Sequence, residues 1–288
     1  MARWNSLPRF WNNDEKSGTV GALRPSAACG KMMEKKGADA VKKVLEVCVD
    51  SVESAVAAAA GGADRLELCA NLIIGGTTPG FALFDAVRRA VDIPVHVLIR
   101  PRFGDFLYTP AEREIMCREI EYFAARGASA VVIGALEENG RLDMAAMGEM
   151  MAAAGGCPVT LHRAVDVSRD PAETLDLAME LGVRTILTSG GEADAWSGRE
   201  VIRDLVERSA GRVEILIGGG VKAEVIRDFL AFCPGASAFH MSGKEVLPSG
   251  MSWRNRRVNM GLPGISEFQI WRTSQQAVRC AREILDRQ

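Results

Sequence analysis

Two short segments alternate a carboxylate with a thiol. LEVCVD spaces Glu46, Cys48 and Asp50 two residues apart, and RLELC does the same with Glu67 and Cys69. In an extended chain residues two apart share a face, so each glutamate projects with its cysteine. A third segment, VTLHRAVD, begins like a strand and ends on His162, Arg163 and Asp166. Carboxylates and imidazole carry protons near neutral pH, which makes His162, Glu46, Glu67 and Asp166 candidate acid/base groups. Two thiols on neighbouring strands can share a soft ion such as Cu(I), which makes Cys48 and Cys69 candidate metal ligands. The same cysteines also read as small core residues.

A second set of residues suits an anion. Arg100 and Arg102 share a face if their strand continues through Pro101, and guanidinium groups grip carboxylate or phosphate through paired hydrogen bonds. TSGG supplies Ser189 and Gly190, ILIGGGV supplies Gly218, Gly219 and Gly220, and FHMSG supplies His240 and Ser242. Glycines between a strand and a helix bare backbone N–H groups toward phosphate; they also simply permit tight turns. His96 falls early in its strand, a packing position, whereas His162 and His240 fall late.

These residues need elements to position them. Apolar strand patterns occur at 44–50, 65–69, 95–101, 129–136, 159–164, 184–190, 213–220 and 236–243. Helical spacing follows at 51–61, 81–91, 110–127, 143–154, 171–181, 198–210, 222–232 and about 265–286. Continuous apolar strands between helices imply a parallel sheet covered by helices. Eight such units predict an α/β fold of the (β/α)8 TIM-like barrel type, with an open doubly wound sheet as the alternative. No GxGxxG follows the first strand, so no nucleotide cofactor is expected. Residues 41–288 read as one barrel domain with a C-terminal tail and helix. Residues 1–40 lack periodicity and read as a poorly ordered N-terminal extension. In a barrel of this kind the strand C-termini carry the site, and the candidate residues fall there.

Composition narrows the function classes. Net charge is −2 with 48% hydrophobic residues, so nucleic acid is not an expected partner. No apolar run reaches the roughly 20 residues that span a bilayer, and the N-terminus lacks a secretory signal pattern; a cytoplasmic protein that does not engage a membrane is the expectation. Seven cysteines without a CxxC argue against a disulfide framework or a four-thiolate zinc site. GxSxG is absent, so no nucleophile elbow is visible. The basic stretch 252–261 reads as a solvated loop.

Taken together, LEVCVDSVESA (45–55), GGADRLELC (61–69), GGTTP (75–79), IRPR (99–102), GDFLY (104–108), HRA with Asp166, LTSG (187–190), GGGV (218–221), FHMSG (239–243) and RNRRVNMG (254–261) resemble the CutC family of copper homeostasis proteins. The resemblance spans about 44–261. It implies a TIM-like barrel, a cytosolic role in copper handling, and Cu(I) binding through Cys48 and Cys69. It also implies that Glu46, Glu67, Arg100, Arg102, His162 and Asp166 are polar residues of the barrel mouth, with His240 on the eighth strand. Leu161, Val165, Phe103 and Ala238 depart from the family pattern and reshape the pocket walls. The expected partner is a copper ion or a small anionic ligand, and a homodimer fits the commonest oligomer symmetry. Two enzymatic alternatives stand beside copper homeostasis. One is a barrel enzyme acting on a small anionic or phosphorylated substrate by acid/base chemistry. The other is a metal-dependent nuclease, although no multi-carboxylate two-metal set is visible.

Overall fold

Eight parallel strands close into a barrel in simple sequential order, β1 next to β2 and β8 next to β1. This is a computed structural model, and it describes residues 42–287 apart from 256, 259, 262 and 263. The strands are β1 (Val44–Val49), β2 (Arg65–Leu68), β3 (Val95–Leu98), β4 (Ala130–Ile133), β5 (Val159–Leu161), β6 (Thr185–Thr188), β7 (Glu214–Ile217) and β8 (Ala238–Met241). Between and after them run α1 (Val52–Gly61), α2 (Phe81–Ala90), α3 (Pro110–Ala125), α4 (Met144–Ala154), α5 (Pro171–Glu180), α6 (Arg199–Ser209), α7 (Ala223–Phe232) and α8 (Gln275–Leu285). The predicted (β/α)8 architecture is therefore the observed one. The expected N-terminal extension, residues 1–40, lies outside the described residues.

Local chemistry explains the punctuation. Thr109 and Glu112 form a reciprocal capping box at the start of α3, with Pro110 in its first turn, where a missing N–H costs nothing. Asp143 and Asp170 cap α4 and α5 through their side chains. Gly62 ends α1 at φ 96°, a conformation that suits glycine.

The two faces of the strands differ in kind. Leu45, Val47, Leu66, Leu68, Val95, Val97, Val131 and Ile133 point outward and belong to the main apolar core under the helices. The inward face has no such continuity. Cys48, Cys69, Leu98 and Val132 form one small apolar cluster and Leu187, Leu216 and Ala238 another. Glu46, Glu67, His96, Thr160 and Thr185 are buried polar residues on the same strands.

Two departures from the sequence reading matter for the mouth. The strands are short: β3 stops at Leu98, and the Arg100 N–H turns to Thr78 Oγ1 (2.9 Å) and not to β4. The last helix starts at Gln275 and not near 265. Residues Gln269–Thr273 instead form β10, paired antiparallel with β9 (Lys244–Pro248). Ser274 caps α8 with its side chain and donates its backbone N–H to Gly243 O (2.8 Å). The excursion from 244 to 273 is thus pinned at its base. Its described tip is exposed, Trp253 and Met260 included.

Gly198, just before α6, tests the packing of one mouth loop. Its φ is ordinary (−88°), but an added Cβ would lie 2.0 Å from Ser189 O. Gly198→Ala is expected to lower stability by about 1–3 kcal/mol through overpacking alone, read as a lower urea midpoint with an unchanged slope.

Candidate functional site

Barrel closure sets Glu46 opposite His240 on β8 and Cys48 opposite Glu67 on β2. Glu46 is buried and accepts from Arg65 Nε at 2.6 Å, while its other oxygen lies 2.8 Å from His240 Nδ1. His96 Nδ1 stands 3.3 Å from the same carboxylate, at ion-pair distance without hydrogen-bond alignment. Arg65 also donates to Glu214 Oε1 at 2.6 Å. A line of alternating charge therefore crosses the barrel interior. Burial by itself would raise the Glu46 pKa, but the contacts with His240 and His96 and the Arg65 charge hold it well below the usual carboxylate range.

The upper end of this line is the interesting one. His240 Nε2 lies 3.7 Å from Glu67 Oε2. Burial alone would lower the His240 pKa; the sulfur of Cys48, with Glu46 and Glu67, pushes it well above the ordinary imidazole value. Glu67 shifts the other way from Glu46, raised by burial and by the Glu46 charge. Cys69 Sγ sits 3.6 Å from Glu67 Oε2, and burial, followed by the Glu67 charge, pushes its thiol far up. Donor atoms of Cys48, Glu67 and His240 all fall within 4.8 Å of one another, close enough to hold one metal ion. Sequence reasoning paired Cys48 with Cys69 and set His240 among the anion residues. The Cys48–Glu67–His240 grouping depends on strand register across the closing seam, which periodicity does not encode.

Across the mouth, Arg100 is buried at 7% exposure. Its guanidinium donates to Gly76 O (2.9 Å) and Gly104 O (2.8 Å) and lies over the Phe106 ring at 5.1 Å. Phe106 in turn packs against His162, ring centres 4.7 Å apart and planes inclined by 45°. His162 Nδ1 accepts from Ala164 N at 3.1 Å, so in the neutral ring the proton belongs on Nε2, which has no protein partner. Burial first, and the Arg100 charge second, push the His162 pKa down to about 3.

Other candidates lie away from this space. With β3 ended at Leu98, strand alternation does not carry Arg102 to the face of Arg100. Arg102 turns outward to Glu112 (2.6 Å) and Asp105 (2.9 Å). Asp166 accepts from Thr188 Oγ1 (2.6 Å), Ser189 N (2.9 Å) and Arg163 Nε (2.7 Å), tying the turn after β5 to the end of β6. Ser189 is buried and donates to Glu192 O (2.6 Å). Gly190 packs on the Gly198 backbone and Gly218 on Leu187. Gly219 and Gly220, by contrast, do border this space, both with positive φ (97° and 69°).

A cavity of about 750 Å³ joins the two halves. Cys48, Glu67 and His240 line one side and Arg100 and His162 another, with Gly219, Gly220 and Ser242 also on the wall. Glu46, Cys69, Arg102, Asp166, Ser189, Gly190 and Gly218 do not line it. Wall residues absent from the sequence reading include Phe106 and, on β9 and β10, Lys244, Trp271 and Arg272. The β-branched and aromatic residues of QIWRT were the available signal for the ribbon.

Residues 43–245 match the model of the CutC family. The chain belongs to the CutC family. Family relatives agree over most of their length. The human copper homeostasis protein cutC homolog is 42% identical over 242 residues, covering 84% of this chain and 88% of the relative. A CutC family protein of Bacteroides thetaiotaomicron is 44% identical over 221 residues, covering 76% and 88%. The crystal structure of a CutC protein from Streptococcus agalactiae, described as a copper homeostasis protein, superposes with TM-score 0.67 at 30% identity, covering 69% of this chain and 98% of that one. Thiamine phosphate pyrophosphorylase from Pyrococcus furiosus shares the barrel alone, with TM-score 0.51 at 15% identity over 86% of this chain and 97% of the other.

The buried neutral His162 has a measurable signature. An unfolded histidine takes up a proton near pH 6.5, whereas the folded ring resists until about 3. Between those values the unfolded state binds more protons, so stability falls as pH falls. The wild type is expected to lose roughly 2 kcal/mol more than His162→Gln between pH 7 and pH 5, read from urea midpoints at the two pH values. Equal losses would show that His162 charges freely in the folded protein.

Proposed function

We propose that this protein is a copper homeostasis protein that takes Cu(I) as cargo at the barrel mouth, in the cytoplasm. Cys48 and His240 are the principal ligands, Glu67 completes the set, and Cys69 is a second thiol beside it. The observation that carries this reading is the convergence of a thiol, an imidazole and a carboxylate within 4.8 Å from β1, β8 and β2. Thiolate and imidazole are the ligand types that suit copper ions, and a thiolate favours the Cu(I) state. The family relatives named for copper homeostasis support the same cargo. The six cysteines among the described residues are free thiols, which suits a reducing compartment.

The neighbours prepare the ligands. Binding requires Cys48 to be a thiolate and His240 to give up a proton. Glu46, hydrogen-bonded to His240 Nδ1, orients the ring so that Nε2 faces Glu67, the outer-shell arrangement that fixes a metal-binding imidazole. No helix among the described residues is long and apolar enough to cross a membrane.

Competition between the reduced full-length protein and a Cu(I) chelator tests the assignment. Cys48→Ser and His240→Gln are each expected to weaken Cu(I) binding by roughly 100-fold or more, since losing even an outer-shell partner costs 10–100-fold. Cys69→Ser is expected to weaken it less. Affinities unchanged in both Cys48→Ser and His240→Gln would remove the site.

A further inference from the structure

The cavity is far larger than one metal ion needs. Its volume of about 750 Å³ falls within the roughly 300–1,000 Å³ typical of small-molecule pockets. Its walls are mixed in the manner of such pockets. Leu72, Leu98, Leu187, Ile270 and the Trp271 ring supply apolar surface, and charged groups enter at separate points.

One of those charges is unbalanced. Arg100 is 7% exposed, yet among the described residues no carboxylate lies within ion-pair distance of it. Its hydrogen bonds go to the carbonyls of Gly76 and Gly104, and its Nε has no partner. Beside it His162 presents a second unpartnered ring nitrogen. Tyr108, whose hydroxyl neighbours the Arg100 guanidinium without an aligned hydrogen bond, has its pKa pushed up to about 12 by burial, so it remains neutral and cannot serve as counter-charge. A buried guanidinium without a counter-ion is costly. The structure keeps it in a wall of the mouth, over the Phe106 ring that packs in turn against His162.

We infer that the mouth binds a small organic anion, whose carboxylate or phosphate group pairs with Arg100 beside His162 while its body lies along the apolar walls. Arg163, which leans against Gly219 on the cavity rim, and Lys244 and Arg272 on the ribbon meet a second polar end of the molecule. The site is built on the residues that follow β3 and β5, and does not require a metal on β1, β2 and β8.

The test uses full-length protein stripped of metal by a chelator, so a failure of the copper assignment leaves it intact. Inorganic phosphate and malonate are the probes, with chloride at matched ionic strength as the control. Phosphate or malonate is expected to raise the thermal midpoint saturably in the millimolar range, with chloride giving no saturable rise, and bound phosphate to broaden its ³¹P resonance. Arg100→Met is expected to weaken binding by about tenfold or more. Arg100→Lys retains a donor to the Gly76 and Gly104 carbonyls but not the planar fork. It decides the matter if the methionine variant does not fold, with an expected loss of about threefold to tenfold. Absence of saturable binding of both anions, or an affinity unchanged by Arg100→Lys, overturns the inference.

Discussion

The Glu46 carboxylate is the constraint around which the barrel interior is arranged. A buried carboxylate is tolerated only when it is paired and hydrogen-bonded, and Glu46 meets Arg65, His240 and His96 from three different strands. Arg65 then needs its second carboxylate, Glu214. This alternation replaces the stacked apolar layers that usually fill a small barrel with a polar axis flanked by two small apolar clusters. Because the partners come from β2, β3 and β8 as well as β1, the network also locks register across the closing seam.

The same interaction shapes the chemistry above it. By fixing His240 through Nδ1, Glu46 leaves Nε2 facing Glu67 and the Cys48 side of the mouth. The two glutamates are pushed in opposite directions, Glu46 down and Glu67 up, because the first is held by its contacts with the histidines and Arg65 while the second is buried and feels the charge of the first. Across the cavity the balance reverses. Burial first, and the Arg100 charge second, outweigh the pull of Asp166 on His162, and the imidazole there stays neutral. One mouth therefore holds a thiol–imidazole–carboxylate side and a cationic, aromatic side, each with its own electrostatics.

The wall that completes the mouth is the ribbon of β9 and β10. Gly243 and Ser274 join its base, and Thr273 N donates to Ser54 Oγ on α1 (3.1 Å). Lys244 lies 4.3 Å from the Trp271 ring centre, which places a charge and an aromatic surface together at the entrance. Residues matched by the family model end at 245, so β10 and this aromatic wall stand beyond the matched stretch.

The fold was legible in the sequence by itself. Eight apolar strands alternating with capped helices admit few closed packings, and the period-2 and period-3.6 patterns are local properties of the chain. Alternation also placed Glu46 with Cys48 and Glu67 with Cys69 correctly along each strand. What alternation cannot report is which residue of one strand lies beside which residue of another. The set of Cys48, Glu67 and His240 follows from register between β1, β2 and β8, and Arg102 parted from Arg100 because the strand ended three residues sooner than its apolar run. Asp166, Ser189 and Gly190 carry chemistry-bearing side chains or flexible backbone, yet hydrogen bonds and close packing between loops fastened them to one another away from the cavity. Local patterning determined the barrel and the end at which polar groups gather; contacts between residues far apart in the chain decided which of those groups face the same space, because side-chain partnership is set by distance after closure and not by spacing before it.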